Sequence, residues 1–305
     1  MKGDSSIRDY LEARVSTDSE GINHRIFAQL SSYVRKIERP VILDLGAGTG
    51  AMIRRIVSSA ALANPVFYGL DANRDLLEEA RRQIALLLEE MGFSVKGGDQ
   101  LILAAKDKRS VEVHLMAGDL LDEKLQASLE KLSFAGVTTH AFMDLVPIDS
   151  TVAIVARLLE KGGFFYSTIN YHGTTELLPL FEDRSFEEGL LSTYNRSMDE
   201  RRLGSRPEGG SRTGALLYGA VAGHDFKITG FGSSDWSIFP WNESYTPAEE
   251  TFLNSLLLTI YEEGLRHPNI DSYALAAWYA ARSDSVERKG LSLLTHHTDL
   301  LAVKR

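Results

Sequence analysis

Three acidic residues each lie at the end of a short apolar run in the first half of the chain. Asp44 lies in "VILDL", Asp71 ends "VFYGLD", and Asp119 ends "VEVHLMAGD". The segment "GAGTG", with glycines at 46, 48 and 50, follows the first run directly. A glycine turn between a strand and a helix lets the backbone approach a ligand and directs the NH groups at the helix N-terminus toward it. The pattern therefore predicts a ligand site made of a glycine turn and carboxylates.

Two classes of cofactor fit such a turn. "GAGTGA" matches the dinucleotide pattern G-x-G-x-x-G/A, with Ala51 as the third small residue. Asp44, however, would repel a pyrophosphate and suits a ligand ammonium group. Asp71 could accept hydrogen bonds from both ribose hydroxyls, and Asp119 from an adenine amino group. The three acids together favour S-adenosylmethionine (SAM), and an NAD-type oxidoreductase is the alternative.

The elements that must position these residues alternate between strand and helix patterns up to residue 171. Apolar, β-branched runs are typical of strands buried on both faces. Their alternation with helices predicts a doubly wound α/β sheet with right-handed crossovers. We predict a helix over 22–37, a small β excursion over 93–118, a fourth strand over 137–145 and a fifth over 162–171. "LSLLTHHTDLLAVKR" predicts a closing strand.

Two polar segments interrupt this pattern in the second half. We interpret residues 172–210 and 233–288 as cap insertions on a single α/β domain spanning 1–305, with residues 1–37 as an N-terminal helical lid. Ligands bind beyond the carboxyl ends of the strands in open α/β sheets, where such insertions emerge. We expect the insertions to form a mobile cover over an acceptor site.

The amino-acid composition limits the kinds of molecule that this protein is expected to bind. The chain of 305 residues has 33 Lys and Arg against 42 Asp and Glu, for a net charge of −9. Nucleic acid is not expected, because it requires a concentrated basic surface. The absence of cysteine excludes disulfides, Cys-ligated metals and a thiolate nucleophile. No signal-like or membrane-spanning stretch is present, so we expect a soluble, cytoplasmic protein and leave its oligomeric state open.

The motifs resemble those of class I SAM-dependent methyltransferases. "LDLGAGTG" is similar to the family's first motif, "YGLDAN" to its second-strand acid, "AGDLLD" to its adenine-side motif and "FMDLVP" to the end of its fourth strand. The resemblance implies a seven-stranded Rossmann-like sheet with an antiparallel last strand, with SAM as cofactor and S-adenosylhomocysteine (SAH) as product. The implied cofactor-binding residues are Arg14, Asp44, Gly46, Ala47, Gly48, Gly50, Asp71, Ala72, Asn73, Gly118, Asp119, Leu120, Asp144 and Leu145.

The acceptor implied by the resemblance is a small molecule. The fourth strand lacks the Asn-Pro-Pro-aromatic signature of nucleic-acid amino methylases, and "INYHG", "SSDW" and "HTDLLAVK" are similar to bacterial small-molecule methyltransferases of unsettled substrate. Methyl transfer to O, N, S or C is equally open, and a non-catalytic SAM-binding protein is a further alternative.

Individual side chains near the acceptor admit two interpretations each. Tyr171 and His172 are the catalytic candidates, and Asn170, Asp235 and Trp236 the candidates for substrate binding. His172 could instead be an exposed loop residue, and Trp236 a core residue. Arg14 could reach the SAM carboxylate or be solvated, and Asp71 and Asp119 could be helix N-caps only. No metal is expected at "THHTD", because adjacent strand residues face opposite sides.

Overall fold

The computed structural model describes residues 4–60, 62, 64–203 and 205–305, with side chains from residue 10 onward. The first three residues of the predicted N-terminal lid, and residue 204 of the first predicted insertion, lie outside this range. The helices of the described chain are α1 (Asp4–Gly21), α2 (His24–Val34), α3 (Ala51–Ser59), α4 (Arg74–Glu90), α5 (Glu123–Leu129), α6 (Ile148–Leu158), α7 (Arg184–Asp199), α8 (Thr213–Gly223), α9 (Pro247–Arg266) and α10 (Ser272–Glu287). The strands are β1 (Val41–Leu45), β2 (Val66–Asp71), β3 (Ser94–Gly98), β4 (Leu101–Lys106), β5 (Arg109–Ala117), β6 (Phe134–His140), β7 (Leu159–Leu178), β8 (Arg202–Leu203), β9 (Arg206–Pro207), β10 (Phe226–Ser233), β11 (Trp236–Ile238) and β12 (Ser292–Lys304).

A single large sheet orders the strands β10-β12-β7-β6-β1-β2-β5-β4-β3, with β11 paired to β12. Strands β5, β2, β1, β6 and β7 are mutually parallel. Strand β12 runs antiparallel to both of its neighbours, β7 and β10. The segment from β5 to β10 is therefore the predicted seven-stranded, doubly wound sheet with an antiparallel last strand. Strands β3 and β4 extend it antiparallel beside β5 and form the predicted β excursion.

Helices cover both faces of the sheet, and strand β1 shows why its sequence is continuously apolar. Ile42 and Leu43 are both 0% exposed, yet they belong to different hydrophobic clusters. Successive side chains of a strand point to opposite faces, so each face of β1 needs its own apolar residues. Ile42 packs in the cluster that contains α2, α3 and α4, and Leu43 in the one that contains α6 and α8.

Helices α7, α9 and α10 form a cap that contacts α1 through α9. A buried ion pair ties α7 to α10, where Arg282 Nη2 lies 2.7 Å from Glu187 Oε2. Trp278 Nε1 also donates to Glu187 Oε1, at 2.8 Å. The carboxylate thus has several donors, which a buried charge requires.

Two of the predicted strands have wrong boundaries. The fourth strand, predicted over 137–145, runs from Phe134 to His140 and is followed by a 3-10 turn at Met143–Leu145. Apolar residues continue through this turn because Met143 is buried, and so the hydrophobic pattern does not mark where the strand ends. The fifth strand, predicted to end at 171, continues to Leu178 because its last residues pair with the start of β12.

Membrane-spanning helices are not found in the described part of the chain, where every helix is too short or too polar to cross a bilayer.

Candidate active site

The glycine turn after β1 has the backbone geometry that its sequence requires. Gly46, Gly48 and Gly50 have φ angles of 67°, 52° and 78°, in the left-handed region that glycine adopts without strain. A Cβ atom at Gly46 would lie 2.2 Å from Cδ2 of Phe142, whereas one at Gly48 would have no neighbour closer than 3.9 Å. Gly46 therefore allows close packing, and Gly48 exposes its backbone to the adjoining cavity.

A cavity of about 420 Å³, here called the larger cavity, lies at the carboxyl ends of β1, β2, β5 and β6. Parallel strands bring these ends to one edge of the sheet, and therefore side chains distant in sequence meet there. Eleven of the fourteen predicted cofactor residues line it: Arg14, Asp44, Gly46, Ala47, Gly48, Asp71, Ala72, Gly118, Asp119, Leu120 and Leu145.

Three predicted cofactor residues do not line the larger cavity. Gly50 is the N-cap of α3, and a Cβ atom there would lie 2.9 Å from Cδ1 of Ile84. Asn73 is the N-cap of α4, where its side chain accepts from two backbone NH groups of the first turn. Asp144 lines a different cavity, because the 3-10 turn after β6 carries it away from the strand end.

Asp71 stands at the end of β2 between two backbone donors. One carboxylate oxygen accepts from Gly48 N at 2.9 Å, and the other accepts from Asn73 N at 2.8 Å. The side chain is partly exposed toward the larger cavity. Each ionised oxygen has a second lone pair, so the carboxylate can accept two further hydrogen bonds from a ligand.

Asp44 and Asp119 differ in exposure although both line the larger cavity. Asp44 is buried, and Thr138 Oγ1 donates to it at 2.7 Å. Burial, with a smaller contribution from Asp71, raises the pKa of Asp44 to about 7. A cation beside it would favour the ionised form. Asp119 is exposed and accepts from Leu121 N at 2.8 Å, which leaves lone pairs for a ligand donor.

Helix α1 closes the larger cavity through a buried polar network that sequence reasoning missed. Arg14 Nε donates to Asp18 Oδ2 at 2.9 Å, and His140 Nε2 lies 3.0 Å from the same oxygen. His140 Nδ1 lies 2.8 Å from Thr168 Oγ1. Burial alone would raise the pKa of Asp18, but Arg14 and His140 lower it to about 2. No local pattern signals a contact between residues 18 and 140, which are joined only by the fold.

A second cavity of about 110 Å³, here called the smaller cavity, adjoins the larger one, because Arg14 and Ala141 line both. Its walls come from α1, β7, α7, α9 and β12, and the ring-bearing residues are Tyr10, Tyr171, Tyr194, Trp236 and His297. Burial lowers the pKa of His297 to about 3, so this imidazole is neutral near pH 7. The Arg14 guanidinium lies 5.7 Å from the Tyr10 ring centroid and 5.6 Å from that of Trp236.

Two of the predicted acceptor-side residues line the smaller cavity, namely Tyr171 and Trp236. The Tyr171 hydroxyl donates to Asn195 Oδ1 at 3.0 Å and accepts from Thr175 Oγ1 at 2.9 Å. Burial raises the pKa of Tyr171, so the phenol stays protonated. Trp236 is buried against Phe252 and His297 and therefore contributes to the core as well as to the cavity.

The other predicted acceptor-side residues lie outside both cavities. Asn170 is buried and donates to Thr298 O at 2.8 Å, because Ile169 adopts a φ of 54° and turns the strand. Asp235 is exposed and lies 2.7 Å from His296 Nδ1. His172 contacts the same histidine, ring to ring at 5.0 Å. Within the described part of the chain, no three His, Asp or Glu side chains are arranged to hold a metal ion.

No protein-family model matches this sequence, and no curated protein matches it significantly. Solved structures with a similar fold include a candidate methyltransferase from Bacillus halodurans C-125, at 16% identity over 91% of this chain and 97% of that one, with a TM-score of 0.46. A SAM-dependent methyltransferase from Thiobacillus denitrificans in complex with SAH is 13% identical over 96% and 97%, with a TM-score of 0.44. One from Geobacter sulfurreducens, also with SAH, is 14% identical over 96% and 98%, with a TM-score of 0.42.

Proposed function

We propose that this chain binds SAM in the larger cavity and transfers the methyl group to a small molecule held in the smaller one. One observation carries the proposal: Asp44, Asp71 and Asp119 come from the ends of three neighbouring parallel strands and line one cavity together with the glycine turn. Its volume of about 420 Å³ is in the range of small-molecule sites.

Three polar parts of SAM, namely the ribose, the adenine and the ammonium group, have a partner of suitable chemistry in the larger cavity. Asp71 keeps lone pairs for the two ribose hydroxyls, and the exposed Asp119 can accept from the adenine amino group. Asp44 is a buried carboxylate with a raised pKa, which an ammonium group would return to its ionised form. The ionised Asp44 carboxylate would repel a pyrophosphate, and this repulsion disfavours a dinucleotide as the ligand.

SAM, when bound, supplies an electrophilic methyl group on a sulfonium, so the chain's own residues need mainly to bind, orient and exclude water. Arg14, Asp18 and His140 hold α1 over the larger cavity. The smaller cavity shares Arg14 and Ala141 with it, which brings an acceptor next to the cofactor site. Tyr171 shapes the acceptor cavity with its ring, since its hydroxyl is already engaged by Thr175 and Asn195.

The cap elements contribute to both cavities. Tyr194 of α7 and Leu256 of α9 line the smaller cavity, and Leu203 lines the larger one. These positions are compatible with the predicted cover formed by residues 172–210 and 233–288, whose motion stays a prediction. A cytoplasmic location likewise stays a prediction.

Isothermal titration calorimetry of the purified chain against SAM, SAH and NAD tests the proposal. We expect SAM and SAH to bind at one site per chain and NAD to give no measurable heat. Binding of NAD without binding of SAM would instead indicate a dinucleotide site and refute the proposal.

A further inference from the structure

Asp144 is the predicted cofactor residue that lines the smaller cavity but not the larger one. The 3-10 turn Met143–Leu145 carries its side chain there. Burial raises the pKa of this carboxyl, and its own backbone NH, Arg14 and Arg201 oppose the rise. Among the described residues, no side chain forms an ion pair with Asp144 within 4.0 Å or donates a hydrogen bond to it. The carboxylate is therefore available to a ligand.

Arg14, the cation that lines the smaller cavity together with Asp144, already has an acidic partner. Arg14 Nε donates to Asp18 at 2.9 Å, and its guanidinium lies against the rings of Tyr10 and Trp236. His297, which also lines the smaller cavity, is neutral near pH 7 because burial lowers its pKa to about 3. Arg14 and Asp18 balance each other, and Arg201, the other cation that acts on Asp144, also acts on Glu208. Among the described residues, Asp144 therefore has no ion-pair partner of its own.

The remaining walls suit the body of an organic cation. Tyr171 and Tyr194 present aromatic rings, and Ile169, Met198 and Leu256 are apolar. Burial raises the pKa of Tyr194, so its phenol stays neutral and its ring can contact a cation. Aromatic walls around one available carboxylate form a site for an ammonium group, whose charge Asp144 would balance.

We propose that the acceptor is a small primary or secondary amine, which binds as its ammonium ion to Asp144 and is methylated on nitrogen. This inference rests on the proposed function. Asp144 first accepts one proton from the ammonium, which frees the nitrogen lone pair. The nitrogen then forms a bond to the methyl carbon as the carbon–sulfur bond breaks, and the electron pair of that bond stays on sulfur. The products are the methylated ammonium and SAH, and the proton on Asp144 is released to solvent.

Other acceptor classes fit these residues less well. A carboxylate acceptor would face Asp144, and the cation that could attract it, Arg14, is held by Asp18. A phenol or alcohol would gain no charge compensation, and the neutral His297 with a pKa of about 3 is a weak base for removing its proton. Asp144 is thus both the recognition group and the proton acceptor that an amine needs.

Binding of matched probes to the SAH-saturated protein tests the inference. We expect benzylamine to bind at pH 7.5 at least about tenfold more tightly than benzyl alcohol or benzoate, because a charge-assisted hydrogen bond is gained. Asp144→Asn should abolish this preference, and Glu182→Gln, at an exposed acid outside both cavities, should preserve it. Butylamine, butanol and butyrate repeat the comparison without the ring.

The outcomes separate the two proposals. The assignment to Asp144 would be overturned by any of three results. These are an amine preference that survives Asp144→Asn in a folded variant, equal or tighter binding of the alcohol or carboxylate, and failure of both amines to bind. Absence of SAH binding to the wild-type chain would instead refute the proposed function, and the probe series is then run without SAH. If the amines were then still preferred, and this preference depended on Asp144, the smaller cavity would be an ammonium site in a protein that does not transfer methyl groups from SAM.

Discussion

Removing the Asp71 carboxylate tests whether this side chain contacts the cofactor or only stabilises the local structure. The side chain accepts from Gly48 N and Asn73 N and keeps one lone pair on each oxygen for a ligand. Asp71→Ala should cost a pair of charge-assisted hydrogen bonds to the ribose, about 1.5–3 kcal/mol, or roughly ten- to a hundredfold in SAM affinity. It should also lower the free energy of unfolding by about 1 kcal/mol, because the two backbone donors are partly exposed and water can replace the carboxylate.

Asn73→Ala is the matched control, because it removes the α4 cap two residues away. Its side chain accepts from Asp75 N and Leu76 N and does not line the larger cavity. This variant should lose about 1 kcal/mol of stability while keeping wild-type SAM affinity. Urea unfolding and calorimetry with SAM and SAH measure both quantities on each variant. A folded Asp71→Ala protein that binds SAM as tightly as the wild type would show that Asp71 only shapes the turn.

Four further predictions follow from the buried charges and from the cap. Burial raises the pKa of Asp44 from 3.8 to about 7 in the folded protein. The protonated carboxyl therefore makes its full contribution to the free energy of unfolding below pH 4, and this contribution is lost as the pH rises toward 7. Asp44→Asn should flatten this pH dependence in urea unfolding. SAM affinity should rise between pH 6 and pH 8 as Asp44 ionises, and a flat calorimetric profile would argue against an ammonium contact. Glu187→Gln should lower the free energy of unfolding by about 3–5 kcal/mol, because it breaks the buried pair with Arg282. Arg157→Gln, which breaks a surface pair, should lower it by less than about 1 kcal/mol. Equal losses in the two variants would contradict this ranking. Hydrogen exchange should slow in α7 and residues 233–245 when SAH and an acceptor amine bind, while β1 and β2 stay unchanged, and uniform slowing would contradict a local cover.

The fold could be predicted from the sequence because its signals are local and repeated. Apolar runs such as "VILDL" and "VFYGLD" mark strands buried on both faces, and the glycines after β1 mark the turn. The positions of Asp44, Asp71 and Asp119 follow from this pattern, because parallel strands end at one edge of the sheet. These three acids and the turn glycines 46 and 48 accordingly line the larger cavity.

The acceptor side could not be predicted as well, because its geometry depends on irregular backbone and distant partners. Ile169 has a φ of 54°, which is rare for a β-branched residue, and its NH donates to Asp299 Oδ1. This turn directs Asn170 into the sheet rather than into the cavity. Asp18 and His140 meet although 122 residues separate them, and no local pattern indicates such a pair.

The antiparallel strand β12 has a consequence for the order in which the protein can be built. It fills the gap between β7 and β10 and supplies Thr295 and His297 to the smaller cavity. During synthesis, β7 is made long before β12. The edge of β7 that pairs with β12 therefore stays unpaired while more than a hundred residues between the two strands are synthesised. An open edge of this kind is prone to pair with other chains. The ribosome-bound intermediate would thus be the species most in need of a chaperone, and the acceptor cavity would be the last part of the site to form.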